Sequence, residues 1–207
     1  MILDISPRVD ARLAVWPGDT PPSREVVLDL ARGDSVTLST LRTSVHAGAH
    51  ADAPSHYGRD AATIDERPLD LYLGPCRVVH VGVPRGHRVT LDDLGATPLD
   101  VPRLLIATGT FPDPARFNGD FAALAPSLVD ALHAAGVVLV GIDTPSVDLL
   151  DDRALLSHNR FLAHDMAILE NLVLADVPAG CYDLIALPLR LAGFDASPVR
   201  AVLQTRD

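Results

Sequence analysis

The sequence predicts an α/β fold with mixed, largely antiparallel sheets, and three observations predict it. Segments with the alternating or continuous apolar patterns of strands outnumber the helical ones. The clearest helix covers only residues 126–135. No regular strand–helix alternation and no glycine-rich phosphate loop mark a repeating βαβ chain. The 207 residues, 48% of them apolar, suit one domain over 1–207 with a core of its own.

Taken in order, residues 2–6 read as a first strand, followed by the turn-rich run Trp16-Pro-Gly-Asp-Thr-Pro. Trp16 is the only tryptophan, and core packing is favoured over an aromatic wall. Residues 24–29 and 35–45 alternate apolar and polar positions and read as half-buried strands, the second leading into a histidine cluster.

That cluster, His46-Ala-Gly-Ala-His50-Ala-Asp52-Ala-Pro-Ser-His56, holds three histidines and a carboxylate separated only by small residues or proline. A straight strand at roughly 3.3 Å per residue would spread His46 and His56 over about 33 Å. One ion cannot bridge that span, since zinc donors sit about 2.0–2.2 Å from the metal. The chain must curl, with Gly48 the natural place and Pro54 limiting any helix. The segment is therefore expected to be an irregular metal-binding stretch with a catalytic group beside it.

Residues 59–72 are polar and read as a solvated loop with a short helix. Strands are expected at 76–83 and 103–107, with a helical turn at 91–94. Helix 126–135 has Pro126 at its start and Gly136 just past its end. The apolar run 137–142 reads as a strand buried on both faces, ending in Asp143-Thr-Pro-Ser-Val-Asp148. His158 lies where a helix begins, and Glu170 closes a short strand from Met166. Read alone, the two belong to different elements that could converge, though a lone histidine and a lone glutamate are usually unrelated, and His164 and Asp165 are competitors. Residues 182–190 and 198–204 read as closing strands, a hairpin around Gly193.

A formal net charge of −10 argues against a nucleic-acid partner. No basic-then-apolar leader and no run of about 20 apolar residues is found, so a cytoplasmic protein with no membrane partner is expected. Cys76 and Cys181, in strand-like surroundings, are expected to be buried free thiols. His80, His87 and His133 lack ligand-spaced neighbours and read as structural or exposed.

The Trp16-Pro17-Gly18-Asp19 turn, the His-x-Gly-x-His-x-Asp-x-Pro-x-His cluster, Gly141 to Asp148, and His158 through Leu172 stand in the order found in one family. The sequence resembles the bacterial kynurenine formamidases (arylformamidases) of the metal-dependent cyclase family. Ala49 stands where that wider family usually has threonine, which leaves the ligands intact. The resemblance implies a swivelling β/β/α-type fold, a homodimer and two zinc ions per subunit. It places His46, His50 and Asp52 on one ion and Asp52, His158 and Glu170 on the second. It also implies Trp16 as a substrate contact, His56 as the acid/base, and hydrolysis of N-formyl-L-kynurenine to L-kynurenine and formate in tryptophan degradation. Another amide or cyclic-amide hydrolase and a non-catalytic metal-binding protein are the alternatives. Asp60, Asp143 and Asp165 are candidates to orient the histidines.

Overall fold

The structure, a computed structural model, describes residues 1–206. Its strands are β1 (Ile2–Asp4), β2 (Ser23–Leu28), β3 (Leu38–Arg42), β4 (His50–Asp52), β5 (Leu73–His80), β6 (Arg88–Val89) and β7 (Arg103–Ala107). They continue with β8 (Ala123–Leu124), β9 (Leu139–Ile142), β10 (Ala167–Glu170), β11 (Gly180–Ile185), β12 (Ala196–Pro198) and β13 (Val202–Thr205). The helices are α1 (Pro126–Ala134) and α2 (Leu156–His164). This is the mixed α/β class expected, with few helices.

One large sheet runs β1-β13-β11-β5-β7-β9-β10-β4-β12. Its centre, β5 to β10, is parallel, whereas both flanks are antiparallel. Strands β7 and β9 are buried at every position because both faces of the sheet are covered. Leu104, Ile106, Val140 and Ile168 point to the side of α1 and α2, where they meet Leu128, Val129, Leu132 and Phe161. Leu105, Leu139 and Leu169, one residue out of phase, enter the opposite core with Tyr72, Leu184 and Leu203. Each such buried aliphatic contributes about 1.5–3 kcal/mol.

The sheet curls on itself. Strand β12 lies at one end and β13 next to the other, yet only residues 199–201 separate them. Val199 N–H donates to the Ala49 carbonyl at 2.9 Å and Ile5 N–H to the Ala201 carbonyl at 3.0 Å, so this short link ties the two ends together.

Three expectations change. Strands β2 and β3 form a hairpin that pairs only with itself, and β3 is exposed at every position. Alternation marks a strand but does not say whether anything covers its apolar face. β11 and β13 do pair antiparallel, but the chain between them first travels to the far end of the sheet as β12, so they are no hairpin. Cys76 is buried and Cys181 exposed, because Tyr182 and Leu184 point inward and turn Cys181 out. Among the described residues, no helix is long and apolar enough to cross a membrane.

Candidate metal centre

Strand β4 supplies the middle of the site. His50 and Asp52 share a face, while Ala51 between them enters the core. The antiparallel register with β10 sets Glu170 directly opposite His50. His50 Nε2 consequently lies 3.3 Å from Asp52 Oδ1 and 3.3 Å from Glu170 Oε2. His158, in the first turn of α2, brings Nε2 to 3.6 Å from Asp52 Oδ2 and 3.8 Å from Glu170 Oε1. His46 Nδ1 is 3.1 Å from Asp52 Oδ1. The curl that returns His46 to its neighbours passes through Gly48 at φ +71°, where a side chain would also crowd Leu13.

His56 ends a 3-10 turn begun by Pro54, and its ring stands 4.3 Å from that of His46. All five expected ligands and His56 thus gather in one place. The donors within 4.8 Å of one another form two sets, His46, Asp52 and His56, and His50, Asp52 and Glu170. Asp52 is common to both. The resemblance divides the ligands differently, pairing His46 with His50 and Glu170 with His158.

The donors fit a metal ion. His50 Nε2 and both Asp52 oxygens are buried with no hydrogen-bond partner, an arrangement that costs stability unless something between them accepts their lone pairs. Imidazole and carboxylate are also the donor types of zinc and related divalent ions. Without an ion, protons do that work. Burial pushes His50 and His158 down, but the carboxylates facing them outweigh it and lift both to about 10. Burial likewise favours the neutral form of Asp52, and the surrounding histidines overcome it and hold its carboxyl well below the usual range.

Each histidine is aimed by a partner on its other nitrogen. His50 Nδ1 meets the Gly48 carbonyl at 2.9 Å, leaving Nε2 for the centre. His158 Nδ1 meets Asp148 Oδ2 at 2.8 Å. Asp148 also accepts the N–H groups of Ser157 and His158, and Arg88 at 2.8 Å. It caps α2 where Leu155, in the left-handed region, offers no side-chain cap. His46 Nε2 donates to Asp195 Oδ2 at 2.9 Å, and the same oxygen stands 3.4 Å from His56 Nδ1.

The orienting carboxylates are therefore Asp148 and Asp195, not Asp60, Asp143 or Asp165. Asp143 instead accepts the N–H groups of Thr108 and Gly109, Asp165 pairs with Arg67, and Asp60 is exposed. Asp148 had a signal, its place ahead of a helix start. Asp195 had none beyond a turn-rich neighbourhood.

A cavity of about 590 Å³ opens onto the centre, walled by Trp16, His56, Pro145, Leu155, Phe194 and others. Trp16 serves both of its readings. One edge packs against Phe117 and Phe121 at ring distances of 5.8 and 6.0 Å, and the residue also lines the cavity.

The profile of the family described as "Putative cyclase" matches residues 3–149. The chain belongs to the putative cyclase family. Several solved structures superpose over 98–100% of its length. One, described as a potential metal-dependent hydrolase with cyclase activity, is 26% identical with a TM-score of 0.87, covering 100% of this chain and 98% of its own. A predicted metal-dependent hydrolase from Bacillus stearothermophilus is 28% identical, TM-score 0.81, with 98% and 97% covered. Isatin hydrolase A from Ralstonia solanacearum shares the fold at 20% identity, TM-score 0.83, with 98% and 91% covered. The chain is thus a cyclase-family protein with a metal-dependent-hydrolase fold and a donor cluster suited to a metal ion.

Proposed function

We propose that this cyclase-family protein hydrolyses N-formyl-L-kynurenine to L-kynurenine and formate, using two zinc ions held by His46, His50, Asp52, His158 and Glu170. The observation that carries the reading is a histidine, His56, standing at the cavity wall beside a buried donor cluster and within 3.4 Å of a carboxylate, Asp195, that it shares with His46. A site that only stored metal has no use for that arrangement.

Bound divalent ions supply Lewis acidity toward water and the formyl oxygen. The protein's own groups manage the proton. Asp195 Oδ2 stands 3.4 Å from His56 Nδ1 and favours the proton on that nitrogen, which leaves Nε2 as the basic one. His56 Nε2 takes the proton released as water adds to the formyl carbon and delivers it to the aryl nitrogen. The C–N bond then breaks with the amine leaving neutral, and the formic acid produced gives up its remaining proton to solvent as formate. Trp16 forms an aromatic wall for the anilide ring. We further infer a homodimer acting in the cytoplasm.

Formate release from N-formyl-L-kynurenine by metal-replete protein, abolished by a chelator and restored by zinc, is the expected result. Absence of hydrolysis by metal-replete protein overturns the assignment. Isatin belongs in the same assay, because isatin hydrolases share the fold. Faster opening of that cyclic amide would move the protein to the other branch.

A further inference from the structure

We propose that Asp19 forms an ammonium subsite, so that the protein selects aryl substrates bearing a cationic amine and leaves a carboxylate on the same side chain unrecognised. This deepens the reading above and rests on its aromatic-amide chemistry.

Away from the histidines of the metal centre, the charge on the cavity wall is one-sided. Asp19, Glu170 and Asp195 line it, and no arginine does. Lysine is absent from the whole sequence, so all 17 basic side chains are arginines. Outside the metal centre, nothing on this wall is built to grip a carboxylate, which proteins ordinarily hold with a guanidinium or ammonium group.

Two of the three acids are already engaged. Glu170 Oε1 accepts the Val147 N–H at 2.8 Å and its other oxygen faces His50, whereas Asp195 Oδ2 serves His46 and His56. Asp19 has one oxygen taken: Oδ2 accepts the Ser44 hydroxyl at 3.1 Å. Among the described residues, no hydrogen bond or ion pair engages Oδ1.

Asp19 is also held in place. Its N–H donates to the Trp16 carbonyl at 2.9 Å, closing a turn with Pro17 and then Gly18 at φ +100°, the residues that a type II turn demands. The turn fixes an aromatic face and a carboxylate at neighbouring points of one wall. Ser44 links it to the centre, since its hydroxyl also accepts the His46 N–H at 3.3 Å. An aromatic face next to a half-free carboxylate suits a primary ammonium, which gains an ion pair and a cation–π contact together.

The test is calorimetric titration of zinc-loaded protein with three ligands sharing one aryl ketone: L-kynurenine, its decarboxylated amine kynuramine, and its deaminated acid, 4-(2-aminophenyl)-4-oxobutanoate. Kynuramine is expected to bind at least as tightly as L-kynurenine, and the deaminated acid about tenfold more weakly, the combined worth of a partly screened ion pair and a cation–π contact. In Asp19→Asn, which keeps an acceptor for Ser44, that preference disappears. The proposal is overturned if the wild-type protein binds the deaminated acid as tightly as kynuramine, if it binds none of the three, or if a folded Asp19→Asn keeps the preference. The wild-type series decides even if the variant does not fold. Failure to hydrolyse N-formyl-L-kynurenine alongside a retained ammonium preference refutes the proposed activity alone, whereas hydrolysis without the preference refutes this subsite alone.

Discussion

His56 and Asp52 stand a few ångströms apart through His46, yet their burial separates their duties. Asp52 is buried with both oxygens unpartnered, whereas the His56 side chain is 37% exposed at the cavity wall. His56→Ala should therefore keep its zinc while losing about 10²–10⁴-fold in turnover, the usual worth of a general acid–base. Asp52→Ala should lose metal. Metal content and formate release on the same preparations check both, and an empty site in His56→Ala would make His56 a ligand, as its place in a donor set with His46 and Asp52 permits. Asp195→Ala should cost about 10–100-fold in activity or metal affinity, as removal of a carboxylate behind a working histidine does. Asp195→Asn, which keeps an acceptor, should recover part of it. At this scale His46, His50, Asp52 and His56 were legible, because three histidines and a carboxylate in eleven positions form a local pattern, whereas His158 and Glu170, each alone in its own segment, were not. Asp195 was not, because it reaches His46 across 149 positions of sequence and only the fold brings it there.

The elements explain why the cluster is rigid. The register that sets Glu170 opposite His50 depends on β10 lying flat between β4 and β9, and Gly141 in β9 is what permits the packing behind it. A Cβ there would meet Leu105 Cδ2 at 2.5 Å and Leu172 Cδ1 at 2.7 Å. Gly141→Ala should cost about 1–3 kcal/mol in denaturant unfolding, the usual penalty for overpacking, and lower zinc affinity by displacing Leu172 two residues from Glu170. An unchanged midpoint would show that these leucines move aside freely. Helix α2 depends similarly on Asp148, whose removal leaves two backbone N–H groups uncapped and His158 Nδ1 unpartnered, while Arg88 keeps its pair with Asp152. Asp148→Ala should destabilise by about 1–3 kcal/mol in denaturant unfolding, the cost of the donors it leaves unsatisfied. Helix α1 and the buried strands β7 and β9 could be read from the sequence because length, proline, glycine and apolar runs are local signals. The exposure of the β2–β3 hairpin could not, since what covers a strand is decided elsewhere in the chain.

For the whole molecule, the metal-free centre is an ion-pair network that trades protons for metal. At neutral pH His50 and His158, both raised to about 10, carry protons that compensate Asp52 and Glu170. Metal uptake must expel them, so zinc affinity should rise with pH, and the calorimetric enthalpy should depend on the ionisation enthalpy of the buffer. Buffer-independent enthalpies would show the histidines neutral before binding. The sign for the empty protein is opposite. A histidine raised on folding contributes fully below its unfolded value of about 6.5 and loses that contribution as pH climbs through its folded one. Thermal stability of metal-free protein should therefore fall between about pH 6.5 and 10, while the zinc-loaded form, whose protons are already gone, should hold its melting temperature across the same range.

The α/β class and its antiparallel flanks were legible from strand patterns, but the closure of the sheet was not, because it lies in a three-residue link whose composition is ordinary. That link has a temporal meaning. His46, His50 and Asp52 are synthesised more than a hundred residues before His158 and Glu170, and Asp195 later still. Strand β4 pairs only with β10 and β12, both made long afterwards. A nascent chain therefore displays half a chelating site with no sheet to seat it. Metal entry becomes a checkpoint on finished folding: the ion is captured tightly only by a chain whose ends have met.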